Sequence, residues 1–310
     1  MKEQVASILK TYGMIIAFVF VCAAIAMLSP VFLTVNNLLN VIRQSSIIGV
    51  MAVGVTFVIL SGGIDLSVGS VMAVSGMIAA GSLQNGAGVG VAILIALAVG
   101  IACGLANGLM VTLAGITPFV VTLGMMSIAR GLTLLYSQGY PISGFSDTFR
   151  FVGGGYILGI PFPVIIFLVT VVVAWAVLTQ TRLGRYTYAI GGNEETVKLS
   201  GINSNFYKTM VYVISGATAG IAALILTSRL NSAGPTAGLT YELTVIASVV
   251  IGGTSLSGGR GTVWGSLIGA LLIAVINNGM NLLGISPYFQ ELARGVIIIL
   301  AVYIDRLREQ

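Results

Sequence analysis

Long apolar runs alternate with short polar segments along almost the whole chain. About 20 apolar residues in a helix cross the hydrocarbon core of a bilayer, and counting runs against that length predicts about ten transmembrane helices. The runs lie at about 12–32, 45–61, 66–84, 90–112, 117–137, 162–180, 207–230, 241–257, 262–282 and 286–305. The pattern therefore predicts an all-α polytopic membrane protein, with one transmembrane domain over residues 1–310.

Two of these runs, 45–61 and 241–257, are short for a full crossing, and each leads into a pair of glycines. The sequences at the two glycine pairs are GGIDLSVG at 62–69 and GGTSLSGG at 252–259, which share the pattern Gly-Gly-x-x-Leu-Ser-x-Gly. Short, glycine-interrupted helices at corresponding positions of two halves are typical of transport paths.

Three further motifs recur in the same order, which indicates an internal duplication with halves at about 45–137 and 240–305. They are Asn-Gly at 107 and 278, Gly-Ile-Thr/Ser-Pro at 115 and 284, and Ala-Arg-Gly at 129 and 293. The offset falls from 190 (252 − 62) to 169 (284 − 115), a difference of 21 residues. Either the second half lacks one helix, or one short run is a re-entrant segment that does not cross.

Composition excludes a soluble domain, because 57% of the residues are hydrophobic, 7% are charged and the mean hydropathy is +1.05. Soluble domains carry about 25% charged residues. The chain has no histidine, and its two cysteines lie in apolar runs. We therefore expect no metal site and no cofactor bound by this chain, and neither catalytic residues nor a nucleic-acid partner.

Clusters of Lys and Arg predict the orientation, because cationic segments near the ends of spans stay in the cytoplasm. The clusters are the N-terminal segment, a polar loop at about 181–206 and the C-terminal tail, with Lys2, Lys10, Arg182, Arg185, Lys198, Arg306 and Arg308. Even numbers of predicted spans separate these segments, so both termini are expected in the cytoplasm. A cleaved secretory signal at the N-terminus would break that even count.

Polar residues inside or beside the short runs are the candidates for a translocation path. They are Asp65, Ser67 and Ser70, then Thr254, Ser255 and Ser257, and finally Asn277 and Asn278. A carboxylate within the membrane costs about 2.5–3.5 kcal/mol and faces protein or water. Asp65 therefore either lies in the path or is an acid at a helix start. The paired arginines Arg130 and Arg294 are expected to bind helix-end carbonyls, an acid or lipid headgroups.

The polar loop at about 181–206 predicts a short cytoplasmic helix of about two turns. Asn193 suits its N-cap, Glu194 and Glu195 suit its first turn, and a glycine follows where it would end. Its candidate coupling residues are Asn193, Glu194, Glu195, Thr196, Lys198, Gly201 and Ile202. Its apolar side chains either meet a partner or lie on the protein's own inner surface.

Together these motifs give the chain a family resemblance over about residues 28–304. The motifs are GGIDLSVGS at 62–70, TRLGRY at 181–186, AIGGNEE at 189–195, LSGI at 199–202 and VIGGTSL at 250–256. The chain resembles the permease subunits of bacterial ABC sugar importers and is most similar to the ribose permeases. It departs from their broader Glu-Ala-Ala pattern at Glu194-Glu195-Thr196, which leaves individual contacts of the loop open.

The resemblance implies a multi-pass protein of the bacterial cytoplasmic membrane, surrounded by lipid and paired with a second permease copy. It also implies a cytoplasmic ATPase subunit that uses ATP and Mg, and a periplasmic or lipid-anchored sugar-binding protein. This chain has no Walker A phosphate loop, so it is expected to move a monosaccharide, ribose first, without being an enzyme. The alternative is an ion-coupled secondary sugar transporter, which would favour several intramembrane acids or a histidine relay.

Overall fold

In the computed structural model, the backbone is described for residues 2–309 and the side chains for residues 14–300, 302 and 303. The charges at Lys2, Lys10, Arg306 and Arg308 lie outside the described side chains. The described helices are α1 (Lys2–Leu28), α2 (Val35–Leu60), α3 (Val68–Gln84), α4 (Val89–Thr112), α5 (Pro118–Ser137), α6 (Asp147–Gly154), α7 (Phe162–Gln180), α8 (Arg182–Gly192), α9 (Glu194–Leu199), α10 (Ser204–Leu230), α11 (Tyr241–Ile251), α12 (Val263–Leu282) and α13 (Pro287–Glu309).

Four two-residue strands complete the described structure and form two antiparallel pairs. Strand β1 (Ile142–Ser143) pairs with β4 (Ser232–Ala233), and β2 (Tyr156–Ile157) pairs with β3 (Ile160–Pro161). The first pair ties the segment after α5 to the end of α10. The second pair is a small hairpin between α6 and α7.

Six helices, α2, α4, α5, α7, α10 and α12, are long and apolar enough to cross a membrane. The apolar part of α1, residues 14–28, and the helices α3 and α11 are shorter. The prediction of an all-α polytopic membrane protein is confirmed. The number of ten crossings depends on the shorter helices as well and stays a prediction.

Helix α2 begins ten residues before the predicted run at 45–61, because a polar residue near its start has partners in the bundle. The amide nitrogen of Asn37 donates to the carbonyl of Phe32 at 2.8 Å. Asn37 and Asn278 also exchange two side-chain hydrogen bonds of 2.8 and 3.0 Å. A run of asparagines that reads as a polar boundary is therefore part of a membrane-length helix.

Helices α4 and α10 approach closely through glycines spaced four residues apart on each helix. An added Cβ at Gly100 would lie 2.2 Å from the carbonyl oxygen of Gly216, and one at Gly216 would lie 2.1 Å from that of Gly100. Gly104 and Gly220 repeat this contact along the same two helices. Small residues at this spacing let backbones pack closely in a bilayer, where hydrophobicity does not drive helices together.

The two halves differ by one helix between their shared motifs. In the first half, α3 and α4 lie between the Gly-Gly and Gly-Ile-Thr-Pro motifs, whereas the second half has only α12 there. The Asn-Gly motif falls in α4 and in α12, so α3 is the helix without a counterpart. The shortening of 21 residues thus corresponds to a whole helix.

Candidate functional site

The polar loop between α7 and α10 folds into two helices, α8 and α9. Helix α9 has its ends where the sequence predicts them: the side chain of Asn193 accepts a hydrogen bond from the amide of Thr196 at 2.9 Å, and Gly201 has a left-handed φ of 76°. Helix α8 was missed. Its sequence includes three glycines, which lower helix propensity, and tertiary contacts stabilise it.

Glu194 anchors α9 to the start of α10. Its carboxylate pairs with Lys208 at 2.9 Å and with Lys198 at 3.0 Å, and Ser204 donates a further hydrogen bond. Burial opposes ionisation of this carboxyl, but the hydrogen bonds and charges of Lys208 and Lys198 outweigh it and hold the pKa of Glu194 below its usual value. Glu194 is therefore an internal anchor of the loop.

The opposite side of α9 is exposed. Leu199 is 89% exposed, and Glu195 and Thr196 are exposed beside it, whereas Val197 is buried against the protein. The predicted apolar face therefore divides: one side chain packs on the chain's own surface and one projects outward. Lys198 and Gly201 are also exposed, and Ile202 is half-buried.

Helix α8 contacts the glycine breaks of both halves at one point. An added Cβ at Gly191 would lie 1.8 Å from the carbonyl oxygen of Leu60 and 2.4 Å from the amide nitrogen of Gly259. The Gly259 amide itself donates to the Leu60 carbonyl at 2.9 Å. The hydroxyl of Tyr188, also on α8, donates to the carbonyl of Gly261 at 2.8 Å. The loops that follow α2 and α11 thus meet each other and the polar loop.

Asp65 is the centre of a buried hydrogen-bond network. Its carboxylate accepts from the amide and hydroxyl of Ser67 at 2.9 and 2.7 Å, and from the hydroxyl of Ser215 at 2.7 Å. Asn107 donates to the Ser67 hydroxyl at 3.0 Å. Among the described side chains, no lysine or arginine pairs with Asp65. It precedes the N-cap of α3, which is Ser67, and it fixes the first break against α4 and α10.

The remaining path candidates of the glycine breaks occupy two different environments. Ser70 is buried in the first turn of α3, and Thr254 is buried beside Gly261. Ser255 and Ser257 line a polar cleft that also touches α8, and only Ser257 of these two is exposed. The structure therefore does not bring all of the predicted path residues to one surface.

The two adjacent asparagines of α12 point to different surroundings. Asn278 belongs to the pair with Asn37, whereas Asn277 lines a cavity of about 370 Å³ between α2, α10, α11, α12 and α13. We call this the α10–α13 cavity. Its polar lining comprises Gln44, Ser45, Arg229, Tyr241, Thr244, Asn277, Asn281, Gln290 and Arg294. Most of these residues were missed, although Asn277 and Asn281 stand one helical turn apart, a detectable signal.

The paired arginines of the Ala-Arg-Gly motifs hold the same segment from two sides. Arg130 on α5 donates hydrogen bonds of 2.8 Å to the carbonyls of Pro235 and Ala237. Arg294 on α13 donates to the hydroxyl of Thr240 at 3.1 Å. This segment leads into α11, which has 11 residues and is therefore about 16 Å long. Both arginines thus position a half-length helix.

Membrane-length helices, two glycine breaks joined to a polar loop, and a polar cavity inside the bundle define a polytopic membrane protein of the transport class. The family model described as "Branched-chain amino acid transport system / permease component" matches residues 37–302. The chain belongs to this permease family.

Curated relatives cover nearly the whole chain. The ribose import permease protein RbsC of Bacillus subtilis strain 168 is 48% identical, over 96% of this chain and 94% of the relative. The protein of the same name from Escherichia coli K12 is 47% identical, over 95% and 93%. The D-allose transport system permease protein AlsC of Escherichia coli K12 is 42% identical, over 96% and 91%. No solved structure gives a significant match.

Proposed function

We propose that this chain is the membrane-spanning permease of an ATP-driven ABC importer that carries ribose into the bacterial cytoplasm by alternating access. The observation that carries the proposal is its 47–48% identity to ribose import permeases over about 95% of the chain. Identity to the allose permease is 42%, and to the Escherichia coli galactose permease 35%. A pentose therefore fits better than a hexose.

The proposed topology has ten crossings and cytoplasmic termini in the inner membrane. It is supported by the positions of two loops on α10, whose 27 residues span about 40 Å. The 181–206 loop contacts the start of α10 through Lys208, whereas the segment after α5 contacts its end, where Asn231 accepts from the amide of Phe145 at 2.9 Å. A cytoplasmic 181–206 loop then places the 138–161 segment outside, facing the sugar-binding protein.

The coupling element is α9, docked in a cytoplasmic ATPase subunit that binds ATP and Mg. Its outward side chains, Glu195 and Leu199, provide the contact, and Glu194 transmits motion to α10 through Lys208. Through Gly191, α8 contacts both glycine breaks. A push on the loop therefore reaches both halves of the bundle, as rocking between inward-open and outward-open states requires. We expect a second permease copy to complete the path.

Transport measured in proteoliposomes tests the function. With the ATPase and the sugar-binding protein present, ribose uptake should require ATP and no ion gradient. Gradient-driven uptake by this chain alone would instead support a secondary transporter.

A matched pair of variants tests the coupling surface. Leu199→Asp places a charge on the proposed ATPase contact, and Leu158→Asp does so at the tip of the β2–β3 hairpin, where Leu158 is 97% exposed. We expect co-purification with the ATPase to be lost for Leu199→Asp and retained for Leu158→Asp. Equal co-purification of the two variants would contradict the assignment.

A further inference from the structure

The α10–α13 cavity contains positive charge without a carboxylate in its described lining. Arg229 and Arg294 both line it, and no aspartate or glutamate does. Arg294 is paired at 2.8 Å with Glu291, which lies outside the described lining. No described carboxylate lies within salt-bridge distance of Arg229. The net charge of the lining is therefore positive.

A third arginine strengthens this charge from the neighbouring turn of α2. Arg43 precedes the cavity residue Gln44 and is close enough to Arg229 to act on it electrostatically. Its guanidinium lies 5.1 Å from the ring centroid of Tyr156 and hydrogen-bonds to the Tyr156 hydroxyl. A tyrosine face and hydroxyl stabilise a cation without cancelling its charge. Arg43 therefore adds to the positive potential at this end of the bundle.

Charges in a cleft with low-dielectric walls act more strongly on a mobile ion than the same charges in open water. A neutral solute is not repelled by them, and its hydroxyl and ring oxygens can accept hydrogen bonds from guanidinium groups. Fixed positive charge beside a narrow polar path is a known means of excluding cations. The cavity thus has the properties of a charge filter.

We propose that the α10–α13 cavity is a cation-excluding vestibule, which admits neutral, hydroxyl-rich solutes and rejects sodium, potassium and hydronium ions. Its place on the transport path rests on the proposed function, whereas its electrostatic selectivity belongs to the cavity itself. A sugar importer with such a vestibule leaves the ion gradients of the membrane intact while the path opens.

A cysteine in the cavity measures this selectivity without any transport. Ala274 lines the cavity, so Ala274→Cys is made in a chain that also carries Cys22→Ala and Cys103→Ala. The purified chain in lipid nanodiscs is treated with a cationic trimethylammonium and an anionic sulfonate methanethiosulfonate reagent. The ratio of their rates, normalised to a free thiol in solution, reports the local potential. The measurement is repeated after Arg229→Gln, Arg229→Lys and the control Arg150→Gln.

We expect the anionic reagent to be favoured by about tenfold or more at Ala274→Cys at physiological salt. This preference should shrink in 1 M salt, because the Debye length falls to about 3 Å. It should fall strongly with Arg229→Gln and persist with Arg229→Lys, which keeps the charge. It should also persist with Arg150→Gln, whose exposed side chain pairs with Asp147 outside the cavity. Arg229→Lys also controls for misfolding.

Three results would overturn the vestibule: an equal ratio with and without the Arg229 charge, a preference for the cationic reagent, or no reaction of either reagent. Each would do so whether or not the chain imports ribose. Conversely, the expected ratios together with a failure of ATP-dependent uptake would refute the proposed function and leave the charge filter standing.

Discussion

Gly191→Ala gives the sharpest test of the junction between the polar loop and the two glycine breaks. The new methyl group would lie 1.8 Å from the carbonyl oxygen of Leu60 and 2.4 Å from the amide nitrogen of Gly259. Both neighbours are backbone atoms, so rotation of a side chain cannot relieve the clash. Either α8 moves away by more than 1 Å or the hydrogen bond from Gly259 to Leu60 breaks. Overpacking of this kind costs about 1–3 kcal/mol.

The neighbouring residue supplies the control, because Gly192 lies in the same helix and an added Cβ there meets nothing within 4 Å. Both substitutions gain up to about 1 kcal/mol of helix propensity. The difference between Gly191→Ala and Gly192→Ala therefore isolates the steric cost, about 1–3 kcal/mol.

Two measurements apply to both variants: the free energy of unfolding in detergent titrated with dodecyl sulfate, and ATP-dependent ribose uptake with the ATPase and binding protein present. We expect Gly191→Ala to be the less stable and to lose most of its uptake while it still binds the ATPase. Gly192→Ala should match the unmodified chain in uptake. Equal stability and equal uptake of the two variants would refute the view that α8 joins both breaks.

Two further predictions concern the anchor of α9 and the network around Asp65. Glu194→Gln should lower stability by about 1 kcal/mol and weaken coupling, unlike the exposed control Glu195→Gln; since the folded-state pKa of Glu194 is depressed, its contribution is full above the unfolded pKa of about 4.3 and lost as pH falls through the folded value, so unfolding curves at pH 3 and pH 7 should differ more for the unmodified chain than for Glu194→Gln. Ser215→Ala should cost about 1.5–3 kcal/mol, the value of a hydrogen bond to a charged group, and much less in an Asp65→Ala background, because the acceptor is then gone. An undiminished cost in that background would contradict the hydrogen bond of 2.7 Å.

Some features of the site could be predicted from local sequence because local chemistry determines them. The ends of α9 follow from a side-chain N-cap at Asn193 and a left-handed glycine at Gly201, both short-range effects. The helix missing from the second half follows from a change in motif spacing. By contrast, the run of asparagines before α2 was interpreted as a boundary, since its partner Asn278 is 241 residues away.

The sequence by itself determined the solvent, the all-α class, the duplication and the family resemblance, because hydrophobic periodicity and short motifs are written along the chain. Only the tertiary structure decided which polar groups meet. It buried Asp65 among serine hydroxyls, placed Gly191 against both breaks, and gathered arginines from α2, α10 and α13 at one cavity. These contacts join residues far apart in sequence, and helix packing selects them through backbone distances that no local pattern encodes.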